Sequence, residues 1–107
     1  MNYQPERGDL VWLNFNPQAG HRPALILSPG KYNQRSGMAL VCPITSQNKQ
    51  RPYHVLIQDN GKINGFVISD HVCSIDWRAR NAKFISKANP EVINEVVDKI
   101  ATLLPLE

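Results

Sequence analysis

The stretch "NPEVINEVVDKIATLL", residues 89–104, changes the period of the chain and so decides the fold class. Its apolar residues Val92, Ile93, Val96, Val97, Ile100, Leu103 and Leu104 fall on one stripe at helical spacing. Asn89 is a suitable N-cap, Pro90 fits the first helical position, and Glu91 complements the helix dipole. Pro105 is expected to end the helix. Everything before it reads with the period of strands. "GDLVWLNF" alternates, with Leu10, Trp12 and Asn14 on one face and Val11, Leu13 and Phe15 on the other, over about 9–15.

"PALILS" and "MALVCPI" are short continuous apolar runs, as in strands buried on both faces. The composition of "PGKYNQRSG" between them predicts a loop. "YHVLIQ" is a fourth strand, followed by the turn signal "DNGK". "GFVIS" and "HVCSIDW" follow as strands joined near Asp70, and "AKFISKA" is a last short one. Six or seven short strands and one packing helix predict a mainly β fold, a small curved antiparallel sheet or barrel with the C-terminal helix laid on it. The 107 residues are expected to form a single domain, 1–107.

Composition narrows the class. No apolar run is long enough for a membrane span, and "MNYQPERGD" lacks the core of a secretory signal, so a cytoplasmic location is expected. Cys42 and Cys73 form no Cys-x-x-Cys pair and are expected to be reduced, buried or half-buried thiols without chemistry. The net charge is only +3, but its distribution is uneven. Between Asp9 and Asp59 there is no acid, yet Arg22, Lys31, Arg35, Lys49 and Arg51 occur there. A second acid-free stretch, from Trp77 to Pro90, carries Arg78, Arg80, Lys83 and Lys87. This asymmetry suggests a basic face for a polyanion; a merely solvated basic surface is the plainer alternative.

Gly-rich phosphate loops, nucleophile elbows and His-Glu-x-x-His are absent from the sequence. The three histidines are far apart in sequence, and Asp70 with His71 would make a poor metal pair on a strand. What remains is polar residues at strand ends. Arg22 opens a buried strand, where an arginine needs a partner. Either a protein carboxylate pairs with it, or it lines a pocket that receives phosphate. Thr45 closes "MALVCPIT", where its hydroxyl either caps a turn or donates to an anion. Together with His21, a residue type suited to moving protons near neutral pH, they suit RNA cleavage by attack of a 2′-OH on its adjacent phosphate. Trp77 is expected to pack in the core or a dimer contact rather than stack on a base.

"GDLVWLNFNP", "GHRPALILSP", "YNQRSGMALVCPIT" and "ISDHVCSIDWRAR" occur in an order that resembles the MazF/PemK family of toxin–antitoxin ribonucleases, over most of the chain. The resemblance implies an SH3-like barrel of the plasmid-maintenance toxin type. It also implies a homodimer, a cognate antitoxin protein that wraps it, and sequence-specific cleavage of single-stranded RNA without metal or other cofactor. It makes Arg22 and Thr45 the catalytic pair, with His21 beside them, and it assigns RNA contacts to Asp70 and His71. Ser46, Gln47, Lys49 and Arg51 follow the threonine in a polar, basic loop that suits an RNA groove. The sequence departs from the family in one place. A longer loop of the form Gly-x-Glu-Gln usually precedes this arginine, whereas "NPQAGHRPA" runs straight into it. That departure raises one alternative, a catalytically impaired toxin that still binds antitoxin; the similar CcdB-type barrel, which binds gyrase and cuts nothing, is another.

Overall fold

The computed structural model describes residues 3–16, 20–47, 51–59 and 62–105. In chain order the elements are strand β1 (Asp9–Asn16), strand β2 (Gly20–Ile26), helix α1 (Gly30–Ser36) and strand β3 (Met38–Thr45). Strands β4 (His54–Asp59) and β5 (Ile63–Ile68) follow, then a 3-10 turn at Ser69–His71. Strands β6 (Cys73–Asp76) and β7 (Lys83–Lys87) precede helix α2 (Pro90–Ala101). The seven strands form one antiparallel sheet in the order β4-β5-β3-β2-β1-β7, with β6 also paired to β3. Among the described residues no helix is long and apolar enough to cross a membrane.

Alternation along the strands sends apolar side chains to two clusters. Leu10, Leu25, Cys42, Ile44, Val55 and Val67 form one, covered by Val92, Ile93, Val96, Val97 and Ile100 of α2. Val11, Leu13, Ala24, Ile26, Val41 and Trp77 belong to the other. Helix α2 starts as the sequence predicts: the Asn89 side chain accepts the Glu91 backbone N–H at 2.9 Å, with Pro90 in the first turn. It stops at Ala101, before Pro105, and Thr102 Oγ1 donates to the Lys99 carbonyl. Leu103 and Leu104 therefore leave the stripe and are exposed, contrary to expectation.

Other expectations change too. The stretch expected as a loop holds α1, whose seven residues are too few to be helical alone. Tertiary hydrogen bonds hold it. The buried Asn33 amide donates to the Pro5 and Ser28 carbonyls at 3.0 Å each and accepts from the Ser28 hydroxyl. Its backbone carbonyl accepts the Trp77 indole N–H at 2.9 Å, so Trp77 packs in the core. Gly37 ends the helix in the left-handed region, at φ 73°. The strand expected to begin at His71 begins at Cys73, because Ser69–His71 form the 3-10 turn. Cys73 is exposed at the first position of β6 rather than half-buried, whereas Cys42 is buried. Burial pushes the Cys42 thiol up to about 12. The "DNGK" turn falls partly on residues 60–61, outside the described residues.

A buried carboxylate ties the N-terminal segment to the sheet. Asp9 accepts the Tyr3 hydroxyl and the Glu6 backbone N–H, and Lys87 of β7 lies against its other oxygen at 2.5 Å. Burial first, then the hydrogen bond to Asp9, raises the Tyr3 phenol above its ordinary range.

Replacing Asn33 leaves a buried hydroxyl and two buried carbonyls without this partner. Asn33→Ala is expected to cost about 2–3 kcal/mol. For a chain of this size that lowers the melting temperature by roughly 10 °C or more in a thermal scan. An unchanged melting temperature would show that α1 is held by something else.

Candidate nucleic-acid interface

Pairing between β2 and β3 sets the geometry. Ala24 faces Pro43, Leu25 faces Cys42 and Ile26 faces Val41. The ladder ends there: Arg22 lies two residues before Ala24, and Thr45, two residues past Pro43, pairs with Phe66 of β5. Arg22 and Thr45 line one groove of about 350 Å³, together with Trp12, Gln47, Lys62 and Asn64. Pro23, Ile44, Ser46 and Ile63 complete its wall.

Arg22 is exposed, beyond the end of the core, so the burial expected for it does not occur. Among the described residues no carboxylate pairs with it. Of the two roles open to it, the structure leaves the guanidinium free for an anion in the groove. Of the two roles expected for it, the Thr45 hydroxyl makes the turn contact. Its oxygen accepts the Gln47 backbone N–H at 3.2 Å, which leaves its proton free to donate. Gly65 of β5 backs this position. A Cβ there would lie 2.4 Å from the Thr45 carbonyl oxygen, and its φ of +154° is one that side chains rarely adopt. The end of β3 is therefore seated on bare backbone.

A second, smaller recess of about 170 Å³ shares Thr45 and Gln47 with the groove. Arg51, Asp70 and His71 line it, as do His54 and Ile68. Lys99 of α2 donates to the Pro52 carbonyl at 2.7 Å, tying the helix to the segment that carries Arg51 and His54. The structure thus brings together Arg22, Thr45, Ser46 and Gln47 in the groove, and Arg51, Asp70 and His71 in the recess beside it. His21 is not brought in with Thr45. It lies between Trp12 and Lys83 on one side and Asn14, Met38 and Asp76 on the other. Neighbours along a strand point to opposite faces, so His21 and Arg22 diverge. Lys49 lies outside the described residues, as do residues 17–19. Pairing of Asn16 with Gly20 leaves just 17–19 to connect β1 and β2.

Sequence reasoning missed Trp12, Lys62, Asn64 and His54. For Trp12 there was a signal: it alternates with Val11 and Leu13 and shares its face with the polar Asn14. For the other three there was none, because only the sheet brings β4 and β5 beside Thr45. The histidines, far apart in sequence, do not all stay apart, since His54 and His71 line one recess.

A small antiparallel β protein with an unpaired arginine, a hydroxyl and a lysine lining one groove presents donors suited to an anion there. Known proteins make that class specific. Residues 6–104 match the model of the PemK-like, MazF-like toxins of type II toxin–antitoxin systems. The endoribonuclease toxin MazF of Escherichia coli (strain K12) is 41% identical over 107 residues, which cover 95% of this chain and 96% of that protein. The endoribonuclease toxin ChpB of the same strain is 37% identical, covering 92% and 93%. The chain of a MazE–MazF crystal structure from Deinococcus radiodurans superposes with a TM-score of 0.91 at 42% identity, over 99% of this chain and 100% of that one. The chain belongs to the PemK-like, MazF-like toxin family.

Gly65→Ala forces the Thr45 carbonyl to move. It is expected to destabilise the protein by about 1–3 kcal/mol in urea unfolding and to shift the Thr45 and Phe66 amide resonances. Wild-type stability with unmoved resonances would mean that the close approach does not constrain the groove.

Proposed function

We propose that the protein is the toxin of a toxin–antitoxin pair, an endoribonuclease that cuts single-stranded RNA by attack of a 2′-OH on its adjacent phosphate. The observation that carries the reading is the meeting of Arg22 and Thr45 in one groove. A phosphate seated there meets a planar, permanently charged fork of donors from Arg22. The Thr45 hydroxyl, which accepts from Gln47 and keeps its own proton to donate, adds a further hydrogen bond. Both strengthen as negative charge gathers on the phosphoryl oxygens, which is how such donors lower a barrier. Lys62 extends the positive field along the groove, and the exposed Trp12 offers a face on which a base can stack. A splayed single strand presents both its phosphate and its bases to such a surface.

The attacking 2′-OH must lose a proton and the leaving 5′ oxygen must gain one. None of these steps calls for a metal. His21 lines neither the groove nor the recess that Thr45 lines, so Arg22 and Thr45 are assigned the central roles. Ser46 and Gln47 line the same groove and are assigned RNA contacts, with Arg51, Asp70 and His71 in the recess. Relatives named as endoribonuclease toxins at 41% and 37% identity support the reading, and a gyrase binder would have no need of the Arg22–Thr45 pair. The Deinococcus MazF seated with MazE supports an antitoxin protein as partner. A homodimer working on RNA in the cytoplasm completes the proposal.

The test is incubation of the purified protein with a long single-stranded RNA in EDTA. Cleavage at a short motif is expected, falling about 100-fold or more in Arg22→Ala and in Thr45→Ala. Cleavage that appears only when a divalent metal is added would overturn the mechanism. Intact RNA with tight antitoxin binding would show that the short β1–β2 connection supports a non-cutting toxin.

A further inference from the structure

Among the described residues, His54 Nδ1 and Ser69 Oγ are buried polar atoms at one corner of the sheet without a hydrogen-bond partner. Buried polar atoms in folded proteins are nearly all paired, so an exception beside a candidate site calls for an explanation. His54 opens β4 and pairs across the sheet with Ile68, which lines the recess with it. Its ring lies against Phe66, with centroids 6.3 Å apart and planes inclined by 33°. Strand and aromatic contact together fix the plane of the imidazole.

The unpaired nitrogen dictates which edge does the work. Nδ1 is closed to solvent, and a bare lone pair there is less costly than a stranded N–H. A ring that carries its donor N–H on Nε2 strands no N–H in the interior. The residue as a whole is half-buried and lines the recess, and with Nδ1 closed off Nε2 is the nitrogen left to reach a ligand there. The recess thus holds a donor from His54, acceptor oxygens from Asp70 and an apolar wall from Ile68. Its volume of about 170 Å³ is well below that of a pocket for a drug-sized ligand, roughly 300–1,000 Å³. A single flat heterocycle with a donor and an acceptor on one edge matches both size and chemistry.

We infer that His54 is a specificity-determining residue: it donates from Nε2 to the edge of one unpaired RNA base, and Asp70 accepts from the same edge. This rests on the ribonuclease reading above. Thr45 lines both the recess and the Arg22 groove, so the base belongs to a nucleotide next to the cleaved phosphate. If Arg51 and His71 instead make the recess a phosphate seat, the loss on mutation is uniform across sequences.

The experiment cuts a random-sequence single-stranded RNA pool with the full chain and sequences the ends, for wild type, His54→Ala, His54→Gln and Asp70→Asn, each checked for folding by thermal melting. His54→Ala is expected to relax the base preference by about tenfold at one position beside the cut, leaving other positions unchanged. His54→Gln, which keeps a donor, restores part of it, and Asp70→Asn alters the same position. An unchanged profile, or a uniform fall at every sequence, overturns the inference. A second readout needs no cleavage: a random single-stranded DNA pool, lacking 2′-OH groups, is bound and the retained strands are sequenced. If wild type cuts no RNA but enriches a base that His54→Ala no longer enriches, the ribonuclease reading fails and the base recess stands. If wild type neither cuts RNA nor enriches a base, the recess inference fails with it.

Discussion

The register between β2 and β3 is the constraint on which the rest depends. With Leu25 facing Cys42 and Ile26 facing Val41, it sends Leu25 and Cys42 to one core cluster and Ile26 and Val41 to the other. A slip of one residue would exchange the two sets, putting every side chain on the wrong face. Just past the end of this ladder the two strands deliver Arg22 and Thr45 to one groove. The groove is thus built on the ends of the most buried strands. At Ile44 and Thr45 β3 also pairs with β5, and Gly65 lets that crossing close tightly.

Two buried polar clamps hold the sheet's surroundings to this ladder. Asn33 joins the Pro5 and Ser28 carbonyls, the Ser28 hydroxyl and the Trp77 indole N–H at one place. Asp9 joins Tyr3, the Glu6 backbone and Lys87 at another. Both are satisfied from several directions, which is the condition under which burying polar groups specifies a structure rather than weakening it. Helix α2 closes the first core cluster and, through Lys99, steadies the segment leading into β4. The recess residues Arg51 and His54 flank that segment, so packing far from the groove reaches it by a short path.

What was legible in the sequence follows from where the determining interactions lie. Helix α2 was legible because its period, N-cap and first-turn proline are all local. The long strands were legible for the same reason. Helix α1 was not, because its stability comes from Asn33 contacts with residues distant in sequence. Cys73 was misplaced because strand composition does not show that β6 begins just beyond the core. Arg22 was expected to be buried by its neighbours "PALIL", yet the core ends before it. Thr45 was legible as a strand terminus, and family resemblance pairs it with Arg22, but the groove they share is a property of the folded sheet. His54 carries no signal in sequence at all. It matters only because β4 and β5 fold it beside Thr45.

The measurement that bears most directly on the central claim is the chemistry of the cut ends. RNA cleaved by the purified protein would be analysed by mass spectrometry of short products. An Arg22–Thr45 groove that promotes 2′-OH attack predicts a 2′,3′-cyclic phosphate on one fragment and a 5′-hydroxyl on the other. A 5′-phosphate with a free 3′-hydroxyl would mean that water, not the ribose, attacks the phosphate, and would contradict the account.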